Sequence, residues 1–92
     1  MTRFGWDQTK ESANILKHGV DFETAQRAFD DPFRKITHDS KHSREENRFF
    51  CVGKVEDKVL MVRFTYQGKD IRIIGAGYWR EGRKLYEEKK DR

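Results

Sequence analysis

The sequence predicts an α+β fold, a small antiparallel sheet with two helices before it and one after it, in the order β-α-α-β-β-β-β-α. Two observations carry the prediction. Through Asp30 the apolar residues recur at the spacing of a helix face, whereas from Phe33 to Trp79 they alternate and are rich in β-branched and aromatic types. The later segments are also joined by short turns that leave no room for a crossover, which makes them antiparallel neighbours. Helices packed on one face of such a sheet leave its other face open.

Taken in order, "RFGW" is a short apolar opening strand, and Asp7 then offers an N-cap to the helix "QTKESANILKHG". Ala13, Leu16 and Val20 recur near helical spacing there, and Gly19 is its C-terminal stop. Asp21 caps a second helix, "FETAQRAFD", whose Phe22, Ala25 and Phe29 share one face, and Asp31-Pro32 ends it. Four strands follow: "FRKITHD", "NRFFCVGKV", "KVLMVRFTY" and "IRIIGAGYW". The polar loop "HDSKHSREEN" separates the first two, Glu56-Asp57 turns the chain between the second and third, and Gln67-Gly68-Lys69-Asp70 turns it before the last. "REGRKLYEEKKDR" closes the order as a charged helix with Leu85 and Tyr86 as its apolar contacts.

Residues 1–92 read as a single domain, small enough that its core must be thin. Charged residues outnumber hydrophobic ones, 39% to 35%, which would suggest disorder if the apolar residues were scattered; they cluster, so the chain is a folded domain with a charged surface. Twenty Lys and Arg against sixteen Asp and Glu leave a net charge of +4, which admits a polyanionic partner without requiring one. No apolar run approaches the roughly 20 residues of a membrane span, and "MTRFGWDQTK" lacks the apolar stretch of a secretory signal. A cytoplasmic protein without membrane contact is expected. Cys51 is the only cysteine, which excludes an intrachain disulfide and reads as a packed strand thiol.

The residues also resemble a known family. "FGWDQTKESANILKHGVDFETAQRAFDDP" is similar to the opening signature of the BrnT-type toxins of bacterial type II toxin-antitoxin modules, through Trp6, Asp7, Lys10, Asn14, Lys17, His18, Gly19, Val20, Phe22 and Ala25. "DSKHSREENRF" resembles that family's D-x-x-H-S-x-x-E-x-R-F segment, and "RIIGA" a motif near its end. The resemblance implies a compact RelE-like ribonuclease fold, RNA as target, inhibition of translation, and neutralisation by a ribbon-helix-helix antitoxin, with which a heterotetramer is the assembly it allows. No cofactor is expected. Gly75-Ala76-Gly77 departs from the Ser-Ala-Arg of many members, so a serine and an arginine of such relatives are absent.

Metal-independent RNA cleavage asks for a base to take the 2′-hydroxyl proton, donors for the charge on the phosphorane, and an acid for the departing 5′-oxygen. His42, in the long loop beside Ser43 and near Arg44 and Arg48, is the best placed histidine, either as that proton carrier or as a solvated loop residue. His18 reads as closing a helix, and His38 with His42 lacks the third ligand of a zinc site, so no metal is expected. Arg63 and Arg72 interrupt apolar strands, where each head must reach solvent, a carboxylate or a phosphate, and Arg72 leads into the unusual glycine segment. Arg72, His42, Arg80 and Tyr86 are therefore the catalytic candidates, the last two because i, i+3 spacing sets Arg80, Arg83 and Tyr86 on one helical neighbourhood. Lys17, Arg48, Arg63, Tyr78, Trp79 and Arg83 are the RNA-binding candidates, with Trp79 either stacking on a base or anchoring the core. Two other functions stay open: a noncatalytic nucleic-acid-binding module, and an inactive toxin relative that only binds an antitoxin.

Overall fold

The computed structural model describes residues 2–88. A five-stranded sheet is formed by β1 (Phe4–Trp6), β2 (Lys35–His38), β3 (Arg48–Val55), β4 (Lys58–Gln67) and β5 (Asp70–Gly77), in the spatial order β1-β5-β4-β3-β2. Helices α1 (Gln8–His18) and α2 (Phe22–Gln26) precede β2, and α3 (Arg80–Glu87) follows β5. The predicted order of elements holds, with three differences that matter for the site.

The first is that the sheet is mixed. β2 to β5 form the expected antiparallel meander, but β1 pairs parallel with β5, with Phe4 opposite Ile71 and Trp6 opposite Ile73. The two helices and the meander intervene between β1 and β5, long enough to bring the chain back in the same direction, a consequence that local turn lengths do not reveal.

The second concerns α1. Asp7 caps it as expected, accepting from the Thr9 and Lys10 N–H groups at 2.7 and 3.3 Å, and Gly19 ends it in the left-handed conformation at φ 70°. The face is not the expected one: Leu16 is 90% exposed and Ala13 is exposed, whereas Asn14 is buried. The reason lies in β5, whose edge β1 covers only as far as Ile73. Beyond it, the Asn14 side chain takes the place of a neighbouring strand, accepting from Ala76 N–H at 3.1 Å and donating Nδ2–H to Ala76 O at 3.0 Å and to Val20 O at 2.9 Å. An exposed or buried strand edge must find partners for both its donor and its acceptor, and one carboxamide supplies both.

The third difference is that the second face of the sheet is not wholly open. α2 and the 3-10 turn Arg27–Asp30 that continues it cover the first face, where Phe22, Ala25, Ala28, Val62, Phe64 and Ile73 form the main core. α3 crosses the opposite face, but only over one end, where Val52, Val59 and Met61 meet Trp79, Leu85 and Tyr86. Gly82 lets it lie close, since a Cβ there would stand 2.9 Å from that of Met61. Two polar ties hold the helix down: Lys35 Nζ donates to the carbonyls of Leu85 and Glu88 at its C-terminus, and the Tyr86 hydroxyl donates to Asp31 Oδ2 at 2.6 Å. The part of the predicted C-terminal helix at 89–92 lies outside the described residues.

Candidate functional site

Strand alternation decides what occupies the end of the second face that α3 leaves uncovered. Phe49, Cys51, Phe64, Ile71 and Ile73 point into the main core, so Arg48, Phe50, Arg63, Thr65 and Arg72 project from the other side. Arg48, Thr65 and Arg72 stand side by side across three strands, and Phe50 is opposite Arg63. The Arg63 guanidinium carbon lies 5.3 Å from the Phe50 ring centroid, within cation–π range.

The loop between β2 and β3 folds over this row and brings its own charges. It closes on itself: Asp39 N–H donates to Arg48 O at 2.8 Å, and Ser43 Oγ both donates to Asp39 O at 2.6 Å and accepts from Arg48 N–H at 2.9 Å. Thr65 adds a tie from the sheet, its hydroxyl donating to Asn47 O at 2.6 Å. The closure presents His42 on the short 3-10 turn Ser40–His42, with Nδ1 2.9 Å from Asp39 Oδ2 and 3.2 Å from Oδ1. Asp39 is 5% exposed, yet His42 is half exposed. The buried carboxylate can only accept, so Nδ1 is the ring nitrogen it engages, and Nε2 is left outside that contact. Hollows of about 490 and 530 Å³ flank the imidazole, the first lined by Lys41, Arg44 and Glu46, the second by Phe50, Arg63 and Lys84.

Three arginines share two carboxylates here. Arg72 Nη2 donates to both oxygens of Glu46 at 3.0 and 2.8 Å, and Arg48 Nε donates to Glu46 Oε2 at 3.3 Å. Arg63 Nε lies 3.3 Å from Asp39 Oδ2, close enough for an ion pair but misaligned for a hydrogen bond. Among the described residues, both Arg63 Nε and Arg72 Nε are therefore buried without an accepting partner, a cost of about 1–3 kcal/mol for each such group. Among the described residues no group of three or more His, Cys, Asp or Glu side chains is placed to hold a metal ion.

The sequence candidates thus divide in two. His42, Arg48, Arg63 and Arg72 come together, while Tyr78 and Trp79 follow Gly77, the last residue of β5 and roughly 16 Å from Arg72 along the strand, and Arg80 and Arg83 lie on α3 beyond it. Trp79 is half buried against the α3 end of the sheet, and its ring occupies the space beside Gly77, where a Cβ would stand 2.5 Å from the ring. The His18 ring meets Trp79 edge-on at 5.1 Å, with Lys17 exposed next to it in the chain. Tyr78 is exposed under Lys58, whose Nζ lies 5.5 Å from the ring centroid. Arg80 and Arg83 are exposed on α3, and neither lines a hollow beside His42. The expected meeting of the Tyr86 hydroxyl with these two arginines does not occur, because Asp31 takes the hydroxyl. That hydrogen bond, with some burial and the charge of Asp31, pushes the phenol up to about 12. Burial likewise pushes the Cys51 thiol up to about 12, as a packed strand thiol requires.

A family model described as the ribonuclease toxin BrnT of type II toxin-antitoxin systems matches residues 6–82. The chain belongs to that family. Membership makes it a ribonuclease toxin of such a module and implies an antitoxin partner. No curated protein matches the chain at a significant level. No helix among the described residues is long and apolar enough to cross a membrane.

Two residues of this cluster, Asp39 and Glu46, were not among the sequence candidates. Each had a signal in the BrnT-like segment, Asp39 three positions before His42 and Glu46 two before Arg48. What neither spacing contains is the fold of the loop, which buries Asp39 and brings Glu46 against two arginines.

Proposed function

We propose that this BrnT family member cleaves RNA without a metal, on the sheet face that carries His42, Arg48, Arg63 and Arg72, and inhibits translation by doing so. The observation that carries the reading is the Asp39–His42 pair set 3.3 Å from an arginine that projects from the sheet. Asp39 holds Nδ1–H, so His42 Nε2 takes the proton of a ribose 2′-hydroxyl. The 2′-oxygen then attacks the adjacent phosphorus, the bond to the 5′-oxygen breaks, and the leaving group acquires a proton from solvent. The products are a 2′,3′-cyclic phosphate and a 5′-hydroxyl. Arg63 and Arg72 stabilise the charge that builds on the phosphorane, each such donor being worth about 3–4 kcal/mol when it is preorganised.

The exposed cations at the other end of the sheet, Lys17, Arg80 and Arg83, with the ring of Tyr78, extend the contact along the RNA backbone. Trp79 serves mainly as packing in this reading, its ring being seated on Gly77. A cytoplasmic location, a RelE-related ancestry for the fold and a ribbon-helix-helix antitoxin assembled with it as a heterotetramer complete the proposal.

Incubation of purified protein with RNA, with and without EDTA, tests it. Cleavage that persists in chelator and ends in cyclic phosphate is the expected result. Activity that returns only with an added divalent ion would sink the mechanism, and salt-sensitive binding without cleavage would make the domain a binding module.

A further inference from the structure

The charged end of the second face already holds an anion of its own. The two oxygens of Glu46 receive Arg72 Nη2 at 3.0 and 2.8 Å, and one of them receives Arg48 Nε at 3.3 Å. A carboxylate between two guanidinium groups stands where the non-bridging oxygens of a phosphate would stand.

The fit is incomplete in a telling way. Both Glu46 oxygens bond the same Arg72 nitrogen, so Arg72 Nε is left buried and, among the described residues, unpartnered. Guanidinium groups bind phosphate best through two nitrogens at once, and a side-on phosphate would occupy Nε together with Nη2. Glu46 itself is about one-third exposed, at 34%, and belongs to the irregular segment before β3. It can turn outward without breaking any strand pairing.

We propose that Glu46 is an internal stand-in for an RNA phosphodiester: Arg72 and Arg48 form a phosphate subsite, and RNA binds by exchanging its phosphate for the Glu46 carboxylate. The proposal rests on the reading of this face as the RNA site. While Glu46 is in place, two arginines are offset by one carboxylate; once it turns out, the incoming phosphate meets both cations. The exchange favours ligands that reach both guanidinium groups and disfavours lone carboxylates, which gain nothing over the one already there.

The test is a binding titration, by fluorescence anisotropy, with a labelled single-stranded RNA whose 2′-hydroxyls are methylated so that it cannot be cleaved. Glu46→Gln should bind about 10-fold more tightly than the parent at low salt. Its slope of log affinity against log salt should be steeper by about 0.7, one more counterion being released. Glu46→Asp, one methylene short of spanning both arginines, should fall between them, and Arg72→Ala should bind more weakly with a shallower slope. If folded Glu46→Gln binds no more tightly while Arg72→Ala weakens binding, the exchange is wrong and the RNA site stands. If Arg72→Ala also leaves affinity and slope unchanged, the RNA site itself is misplaced. Loss of the fold in both Glu46 variants would make the residue a structural tie and would equally overturn the exchange.

Discussion

The two faces of the sheet are built from the same strands and carry opposite chemistry. On the first, Phe22, Leu60, Val62, Phe64 and Ile73 are fully buried beneath α2 and its 3-10 extension. On the second, only the end under α3 is apolar, and the rest carries Arg48, Arg63 and Arg72 with a loop's carboxylates folded over them. In a domain this small, one face must supply most of the hydrophobic stabilisation. The other face is then free to hold charges in a costly arrangement, including two buried arginine N–H groups without partners among the described residues.

The comparison predicts that stability and activity separate by face. Phe64→Ala, which empties a fully buried ring from the first face, should cost about 3–5 kcal/mol in urea or thermal unfolding. His42→Ala, on the second, should lower RNA cleavage by about 100- to 10,000-fold and move the melting temperature by no more than about 4 °C. A large loss of stability from the histidine variant would mean that the loop is part of the core and would blur the division.

At the boundary between the faces, Asn14→Ala should cost about 1–3 kcal/mol, because Ala76 N–H and C=O lose their partners where β1 has ended. Hydrogen exchange at Ala76 should rise more than at Ile73, which β1 still pairs. Equal protection at both positions in the variant would show that another group replaces the carboxamide.

The smallest effect concerns the tie that holds α3 to the second face. Burial acts to raise the Asp31 carboxyl, but the Tyr86 hydroxyl, the Lys54 and Phe33 N–H groups and the Lys54 charge outweigh it and hold the group below its usual value. Its contribution is complete above about pH 3.9 and is lost as pH falls through the lower folded value. Tyr86, raised to about 12, has the opposite sign: its share is present below about pH 10 and disappears as pH rises through 12. Tyr86→Phe should therefore cost about 1 kcal/mol or less near neutrality, the pair being partly exposed. It should also flatten the alkaline fall in stability. An unchanged alkaline limb would show that the tie contributes nothing.

Much of this was legible along the chain because it depends on near neighbours. Asp7 and Asp21 cap their helices through N–H groups two or three residues on, and Gly19 turns the chain out of α1. The meander follows from alternation and short turns, and alternation also places Arg63 and Arg72 opposite the core residues that flank them. His42 was visible as a loop histidine among basic residues, and the family segment around it was specific.

What only the tertiary structure decided are relations between residues far apart in sequence. Asn14 is buried, and Leu16 exposed, because β5 needs a partner 62 residues away. Trp79 packs because Gly77 leaves room for its ring, and Tyr86 is spent on Asp31 rather than on the arginines of its own helix. Asp39 and Glu46 meet Arg63 and Arg72 only when the loop closes over the sheet. Local chemistry sets which elements form and which way each strand residue points, whereas the pairing of charges depends on distances that exist only after the chain has folded back on itself.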